Sequence, residues 1–290
     1  MERMRIRTDL AVEARESFEG SDTEVHGVIV EEEYDEQRNI RLTRVQIVSE
    51  RGAREMGKPM GNYLTLEAPG MAAPDEDYHR EISEVLSQHL RELIGEEKER
   101  SILVAGLGNR DVTPDALGPK TVSNLLITRH LIREYGKEVM GTKQCNQISG
   151  IVPGVMAQTG METSEIIRGI VEQTSPDLLI VIDALAARST KRLSRTIQLT
   201  DTGIQPGSGV GNHRNSLTEE SLGIPVIAIG VPTVVEAAAI VYDAQGSSEQ
   251  LPPHLNGMFV TPKNIDEMIK QLSFTLSEAL NMAFQIADQA

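Results

Sequence analysis

Two aspartates each follow an apolar run that reads as a buried strand. Asp115 comes shortly after Ser101-Ile102-Leu103-Val104-Ala105-Gly106, and Asp183 directly after Leu178-Leu179-Ile180-Val181-Ile182. If the two strands are parallel members of one sheet, both carboxylates lie at its carboxyl edge, where open α/β sheets bind their ligands. Two carboxylates brought close do not both ionise cheaply, so one keeps a proton while the other stays charged. Such a pair can take a proton from water and return one to a leaving amine, which is the chemistry of amide hydrolysis. Each aspartate also has a plainer use. Thr113-Pro114-Asp115 fits a helix start with Thr113 as cap and Asp115 in the first turn, and Asp183 can form a turn at a strand end. A carboxylate leaving so apolar a strand must still be solvated, paired or used.

Other motifs carry less. Asp201-Thr202-Gly203 has the form of the turn in all-β aspartic proteases, but it occurs once and in a chain of alternating strands and helices. Gly106-Leu107-Gly108 begins a dinucleotide fingerprint, yet the third glycine position holds Asp111, which would repel a pyrophosphate. Gly207-Ser208-Gly209-Val210-Gly211 lacks the Lys of a phosphate loop and the elbow of a serine hydrolase. The Gly-rich loops 150–160 and 203–211 are long enough to suggest function. Their glycines, Gly154, Gly207 and Gly209 among them, suit close approach of an extended peptide. The six histidines show no metal-ligand spacing. No cofactor or metal is therefore expected, although a hard cation on Asp115 and Asp183 would need no motif.

The elements that must position these residues come from periodicity. Val25–Tyr34 and Ile40–Val48 flank a polar turn and predict a hairpin, with a further strand at Tyr63–Leu66. Apolar residues at three- and four-residue spacing predict a helix over Tyr78–Glu97. Strands at 102–106, 178–182 and 225–229 then alternate with helices at 121–135, 165–172 and 234–242, and a closing helix spans 264–287. That alternation predicts an α/β fold, a three-layer doubly wound sheet, mostly parallel or mixed, with an added N-terminal hairpin region. The closing helix is apolar on more than one stripe, so it is either a core helix or a subunit contact. Residues 1–20 read as a mobile arm, followed by a single domain over 21–290 with a hairpin elaboration at 25–67.

The chain of 290 residues, 39% hydrophobic, can bury a substantial core. Its formal charge of −15 argues against a grip on nucleic acid or anionic lipid. Residues 1–100 hold 24 Asp and Glu against 14 Lys and Arg, so the acidity is concentrated there. The lone Cys145, the absence of an apolar leader after Met1 and the lack of a membrane-length apolar run predict a cytoplasmic protein.

Several segments together carry a family resemblance. They are Arg7-Thr8-Asp9-Leu10-Ala11-Val12-Glu13-Ala14, Gly106-Leu107-Gly108-Asn109, Thr113-Pro114-Asp115-Ala116-Leu117-Gly118-Pro119, Pro153-Gly154-Val155-Met156-Ala157-Gln158-Thr159-Gly160, Ile182-Asp183-Ala184-Leu185, 201–211 and Gly230-Val231-Pro232-Thr233-Val234. The chain resembles the germination proteases of spore-forming bacteria, atypical aspartic endopeptidases that degrade small acid-soluble spore proteins. The resemblance implies that Asp115 and Asp183 are catalytic; Gly154, Gly207, Gly209 and Pro232 are the candidate substrate-binding residues. It also implies a fold like that of hydrogenase maturation proteases, a homotetramer in the spore core, and a zymogen activated by loss of a short N-terminal segment. Thr8-Asp9-Leu10-Ala11 is similar to the Thr-Glu-(Phe/Ile)-Ala pattern of the family's substrates, so the implied processing site is Asp9-Leu10 and the pro-segment 1–9. That segment is short, and the stretch 242–262 is abbreviated. Two alternatives stay open: a nickel-probing maturation protease using the same aspartates, and a non-catalytic oligomeric binder of small spore proteins.

Overall fold

The computed structural model describes residues 8–16, 25–95, 99–141, 145–205, 215–245, 255 and 257–285. Among the described residues nine strands form one mixed sheet: β1 (Val28–Asp35), β2 (Ile40–Ile47), β3 (Gly61–Glu67), β4 (Ser101–Gly106), β5 (Gln147–Ile151), β6 (Leu178–Ala187), β7 (Thr196–Thr200), β8 (Val226–Glu236) and β9 (Phe259–Val260). Their order is β1-β2-β3-β7-β8-β6-β4-β5, with β9 paired to β8. β8, β6, β4 and β5 run parallel, whereas β1, β2, β3 and β7 form an antiparallel extension that joins at β8. The expected hairpin region is thus continuous with the main sheet. β1, the outer strand, carries Glu31, Glu32 and Glu33 in succession, and its residues 29–34 are exposed.

The parallel strands read as unbroken apolar runs because both faces are covered. Ile102, Val104, Ile180, Ile182, Ile227 and Ile229 point to one side, where they join Ile82, Leu86 and Leu90 of the Glu76–Ile94 helix and Ile269, Leu272 and Leu276 of the Ile265–Ala283 helix. Leu103, Ala105, Leu179 and Val181 point to the other, against Ile167 and Val171 of the Thr163–Thr174 helix. Alternation along each strand therefore builds the expected three layers.

The closing helix is a core helix: its apolar stripe is buried against the Glu76–Ile94 helix, with Phe274 left 57% exposed. A histidine lies between the two. Thr275 Oγ1 donates to the Gln271 carbonyl at 3.0 Å and lies 2.7 Å from His79 Nδ1. Burial pushes the His79 imidazole below its ordinary 6.5. The unfolded chain then binds a proton that the folded chain refuses, so stability falls as pH drops below about 6.5. Urea melts at pH 7.5 and 5.5 are expected to show this loss, and His79→Gln to reduce it; an unchanged pH dependence in the variant would contradict the assignment.

Several elements differ from expectation. The helix expected over 121–135 is two, Leu117–Ser123 and Arg129–Tyr135, because the chain turns between them to bond β5. There Thr128 N–H donates to the Ile148 carbonyl at 3.1 Å, and Thr128 Oγ1 accepts Ile148 N–H at 2.9 Å. β5 itself falls partly in the expected loop 150–160. β8 continues to Glu236, so the helix expected from Val234 begins at Ala237.

The mobile arm is also corrected for residues 8–16. Ala11–Glu16 is a helical turn whose neighbour Leu10 is fully buried beside Leu185 and Val235. Its charged residues have distant partners. Glu13 is 2% exposed and accepts the backbone N–H groups of Arg188 at 2.8 Å and Ser189 at 3.0 Å, as well as the Thr8 hydroxyl. Arg192 reaches Glu13, Glu16 and Glu67. Burial disfavours its charge, but those carboxylates win and hold the guanidinium above its ordinary pKa. Arg192→Ala leaves the buried Glu13 carboxylate with its hydrogen bonds but without a counter-charge and is expected to destabilise the fold by about 2–4 kcal/mol. Urea melts measure this, and a change under about 0.5 kcal/mol, the range of an ordinary surface substitution, would refute it.

Candidate active site

Asp183 does not close its strand. β6 runs on to Ala187, with Asp183 opposite Gly230 and Leu185 opposite Pro232 of β8, and a register shift follows between Leu185 and Ala186. The small residues Ala184, Ala186 and Ala187 conceal this continuation, since alanine has little intrinsic strand preference. On its other side β6 loses its neighbour at this point, because β4 ends at Gly106, opposite Ile182. Asp183 therefore stands where the β4 chain leaves the sheet. It is 6% exposed, and its Oδ1 accepts the Ala184 backbone N–H at 2.9 Å.

Asp115 ends a single 3-10 turn, Thr113–Asp115, just before the Leu117–Ser123 helix. Thr113 does not cap that turn; its hydroxyl donates to Asp266 Oδ1 at 2.8 Å, tying the turn to the closing helix. Asp115 Oδ2 accepts the Asn109 backbone N–H at 2.7 Å. Gly108, at φ 107°, lies so close that a methyl group placed on it would be 2.0 Å from the Asp115 carbonyl oxygen and 2.9 Å from Oδ1. Only glycine fits there, by conformation and by space.

One hydrogen bond fastens the two halves. Leu107 N–H donates to the Ile182 carbonyl at 2.8 Å, joining the turn that holds Asp115 to the residue before Asp183. The Leu117–Ser123 helix closes over this bond through Gly118, whose added methyl would lie 2.5 Å from both the Ile182 and the Leu107 carbonyl oxygens. Asp115 thus lies beyond the carboxyl end of β4, and Asp183 lies within β6 one residue past the level at which β4 ends.

A cleft of about 420 Å³ opens past Gly108, which packs on Asp115; Arg110, Asp111, Pro153, Gly154 and Gln158 also line it, and neither Asp115 nor Asp183 does. Gly154 is therefore at the cleft. Pro232 is buried within β8, where its carbonyl accepts Ser194 N–H at 2.7 Å, and it does not line the cleft. Gly207 and Gly209 lie outside the described residues. Asp201, of the Asp-Thr-Gly triplet, is a sheet-edge anchor that accepts the Asn62 backbone N–H at 2.8 Å and side-chain amide at 2.6 Å. Sequence reasoning missed Gln158, whose Nε2 donates to Asn109 Oδ1 at 3.0 Å and to Asp111 Oδ2 at 3.2 Å.

Asp9 and Leu10 are fastened beside the same strand. Asp9 N–H donates to the Ala186 carbonyl at 3.2 Å, Asp9 Oδ2 accepts Ala186 N–H at 2.9 Å, and the Asp9 carbonyl accepts Lys58 Nζ at 2.7 Å. Burial pushes the Lys58 ammonium below its ordinary pKa, against the pull of Asp9 and Glu13. Among the described residues no three His, Cys, Asp or Glu side chains gather to hold a metal, and no helix is long and apolar enough to cross a membrane.

Comparison with known proteins defines the class: the chain is a peptidase. The germination protease family model matches residues 6–248, and the chain belongs to that family. It is 46% identical to the germination protease of Caldanaerobacter subterraneus subsp. tengcongensis, over 97% of this chain and 94% of that one. It is 43% identical to that of Clostridium perfringens strain ATCC 13124, over 97% and 95% of the two chains. Among solved structures, the NiFe hydrogenase maturation protease HycI from Thermococcus kodakarensis KOD1 matches with 20% identity and a TM-score of 0.35, over 66% of this chain and 98% of that one.

Proposed function

We propose that the chain is an aspartic endopeptidase that hydrolyses small acid-soluble spore proteins during germination, with Asp115 and Asp183 as its carboxylate pair. The observation that carries this reading is the shared edge: Asp115 is held by the Asn109 N–H and packed on Gly108, and Asp183 adjoins the Ile182 carbonyl that receives Leu107 N–H. The ionised carboxylate takes a proton from water as its oxygen attacks the peptide carbonyl. The protonated partner gives its proton to the amine nitrogen as the C–N bond breaks. The cleft past Gly108 and Gly154 suits an extended peptide, for which backbone approach at glycine needs no side-chain clearance.

The net charge of −15 favours basic, unfolded substrates. Raising salt from 0.05 to 0.5 M is accordingly expected to increase KM for such a protein with little change in kcat; a salt-independent KM would remove the electrostatic contribution. Mass spectrometry of a small acid-soluble spore protein after incubation tests the activity itself. Cleavage within an acidic-then-apolar segment is expected, and an intact but bound substrate would instead favour sequestration.

The protein acts as a homotetramer in the spore core and matures by cutting between Asp9 and Leu10, which releases the pro-segment 1–9 from the domain that follows. Because Asp9 is bonded on three sides and Leu10 is buried, that cut requires the segment to leave β6 first. N-terminal sequencing after activation is expected to begin at Leu10, and an unchanged Met1 start in an active preparation would refute processing.

A further inference from the structure

We propose that the side-chain amide of Asn109 is the oxyanion donor of the reaction, giving Nδ2–H to the carbonyl oxygen of the scissile peptide. The inference rests on the two-aspartate reading above. Asn109 Oδ1 accepts two hydrogen bonds, from the Asp111 backbone N–H at 3.0 Å and from Gln158 Nε2 at 3.0 Å. A backbone N–H can only donate, so the atom it meets is the oxygen, and this sets which way the amide faces. Gln158 is oriented in the same manner, its Oε1 facing the Val155 N–H at 3.5 Å. Nδ2 is left as a fixed donor with no protein acceptor among the described residues.

The main chain of the same residue is committed to the carboxylate, since Asn109 N–H donates to Asp115 Oδ2 at 2.7 Å. One residue thus holds an acidic side chain with its backbone and carries an oriented, unclaimed donor on its side chain. Its neighbours Gly108, Arg110 and Asp111, together with Gln158, line the cleft. A local turn alone would need only the Asp111 N–H contact, which Asp or Ser at this position would also supply. The second clamp from Gln158, across from another loop, is unnecessary for a turn and fixes the amide plane.

Two carboxylates move protons but offer nothing positive to the carbonyl oxygen. As the water oxygen bonds to the carbonyl carbon, the π pair moves onto that oxygen, and the bond from Nδ2–H strengthens as charge develops. Asn109 lies between the cleft-lining residues Gly108 and Arg110, and Arg110 gives one guanidinium N–H to Ser123 Oγ at 3.1 Å. An interaction that strengthens only in the transition state raises kcat and leaves KM nearly unchanged.

The test uses the full chain in a preparation that cleaves a Thr-Glu-Ile-Ala peptide, with Asn109→Ala and Asn109→Asp. The Asp variant keeps an oxygen for both clamping donors but lacks the N–H, so it separates donation from turn formation. Both are expected to lose about 10²- to 10³-fold in kcat with KM within about threefold. A phosphinic-acid analogue of the peptide should bind more weakly in step with the loss in kcat/KM. Gln158→Leu, which unlocks the amide, should lose less kcat than Asn109→Ala. If both Asn109 variants keep kcat within about threefold, or lose analogue and substrate binding equally, the donor role is overturned. Asp115→Asn and Asp183→Asn, run alongside, distinguish the causes: if they are inactive the carboxylate reading survives, and if they turn over, that reading fails and the donor role with it.

Discussion

Asp115→Asn and Asp183→Asn are each expected to lose about 10³- to 10⁴-fold in kcat for peptide hydrolysis, the size of a missing general acid or base. The substitutions are nearly isosteric and leave the packing alone. An asparagine oxygen at 115 still accepts the Asn109 N–H, and one at 183 still accepts the Ala184 N–H. Thermal midpoints should therefore stay close to that of the parent, so that lost turnover reports on chemistry. The double variant should be little worse than either single one, because residues that act as a unit are not additive. Near-normal hydrolysis in both single variants would remove the carboxylate pair from the mechanism.

Gly118→Ala has the second largest expected effect. Its methyl group would lie 2.5 Å from the Ile182 and Leu107 carbonyl oxygens and 2.6 Å from the Leu107 nitrogen, all main-chain atoms that cannot rotate away. The Leu117–Ser123 helix must then back off β6, carrying the turn of Asp115 away from the strand of Asp183. Overpacking of this kind costs about 1–3 kcal/mol, and a displacement near 1 Å at a catalytic pair costs roughly 10²-fold in rate. Gly169→Ala is the control. It lies within the Thr163–Thr174 helix with open space around it, so it should be neutral or stabilise by about 0.5–1 kcal/mol through helix propensity. Denaturant melts and peptide turnover on the two variants decide the matter. Equal behaviour would mean that the close approach at Gly118 does not set the site.

The parallel core and the shared edge of the two aspartates were legible because buried strands announce themselves. Leu178–Ile182 and Ile102–Gly106 are continuous apolar runs, and two such strands side by side leave little freedom for the residues that follow. The hairpin of β1 and β2 was legible from its polar turn. β5 was not: Gln147-Ile148-Ser149-Gly150-Ile151 has little strand character of its own and extends because β4 offers it a ladder. The docking of residues 8–16 was hidden for a related reason. Glu13 looks like one more acid in an acidic segment until Arg188, Ser189 and Arg192 are folded beside it. The clamp of Gln158 on Asn109 likewise joins two loops whose meeting only the fold decides. What the sequence hides in each case is a polar contact between distant segments, and hydrophobic periodicity carries no information about those.

The outer strand β1 has a consequence for self-association. An exposed sheet edge is a template on which a second copy could continue the ladder, and growth of that kind has no natural end. Glu31, Glu32 and Glu33 are consecutive, so their carboxylates project from both faces of β1. A second copy of β1 docking there at the roughly 4.8 Å spacing of paired strands would set anion against anion whichever way it faced. Pairing of two β1 edges is thereby discouraged.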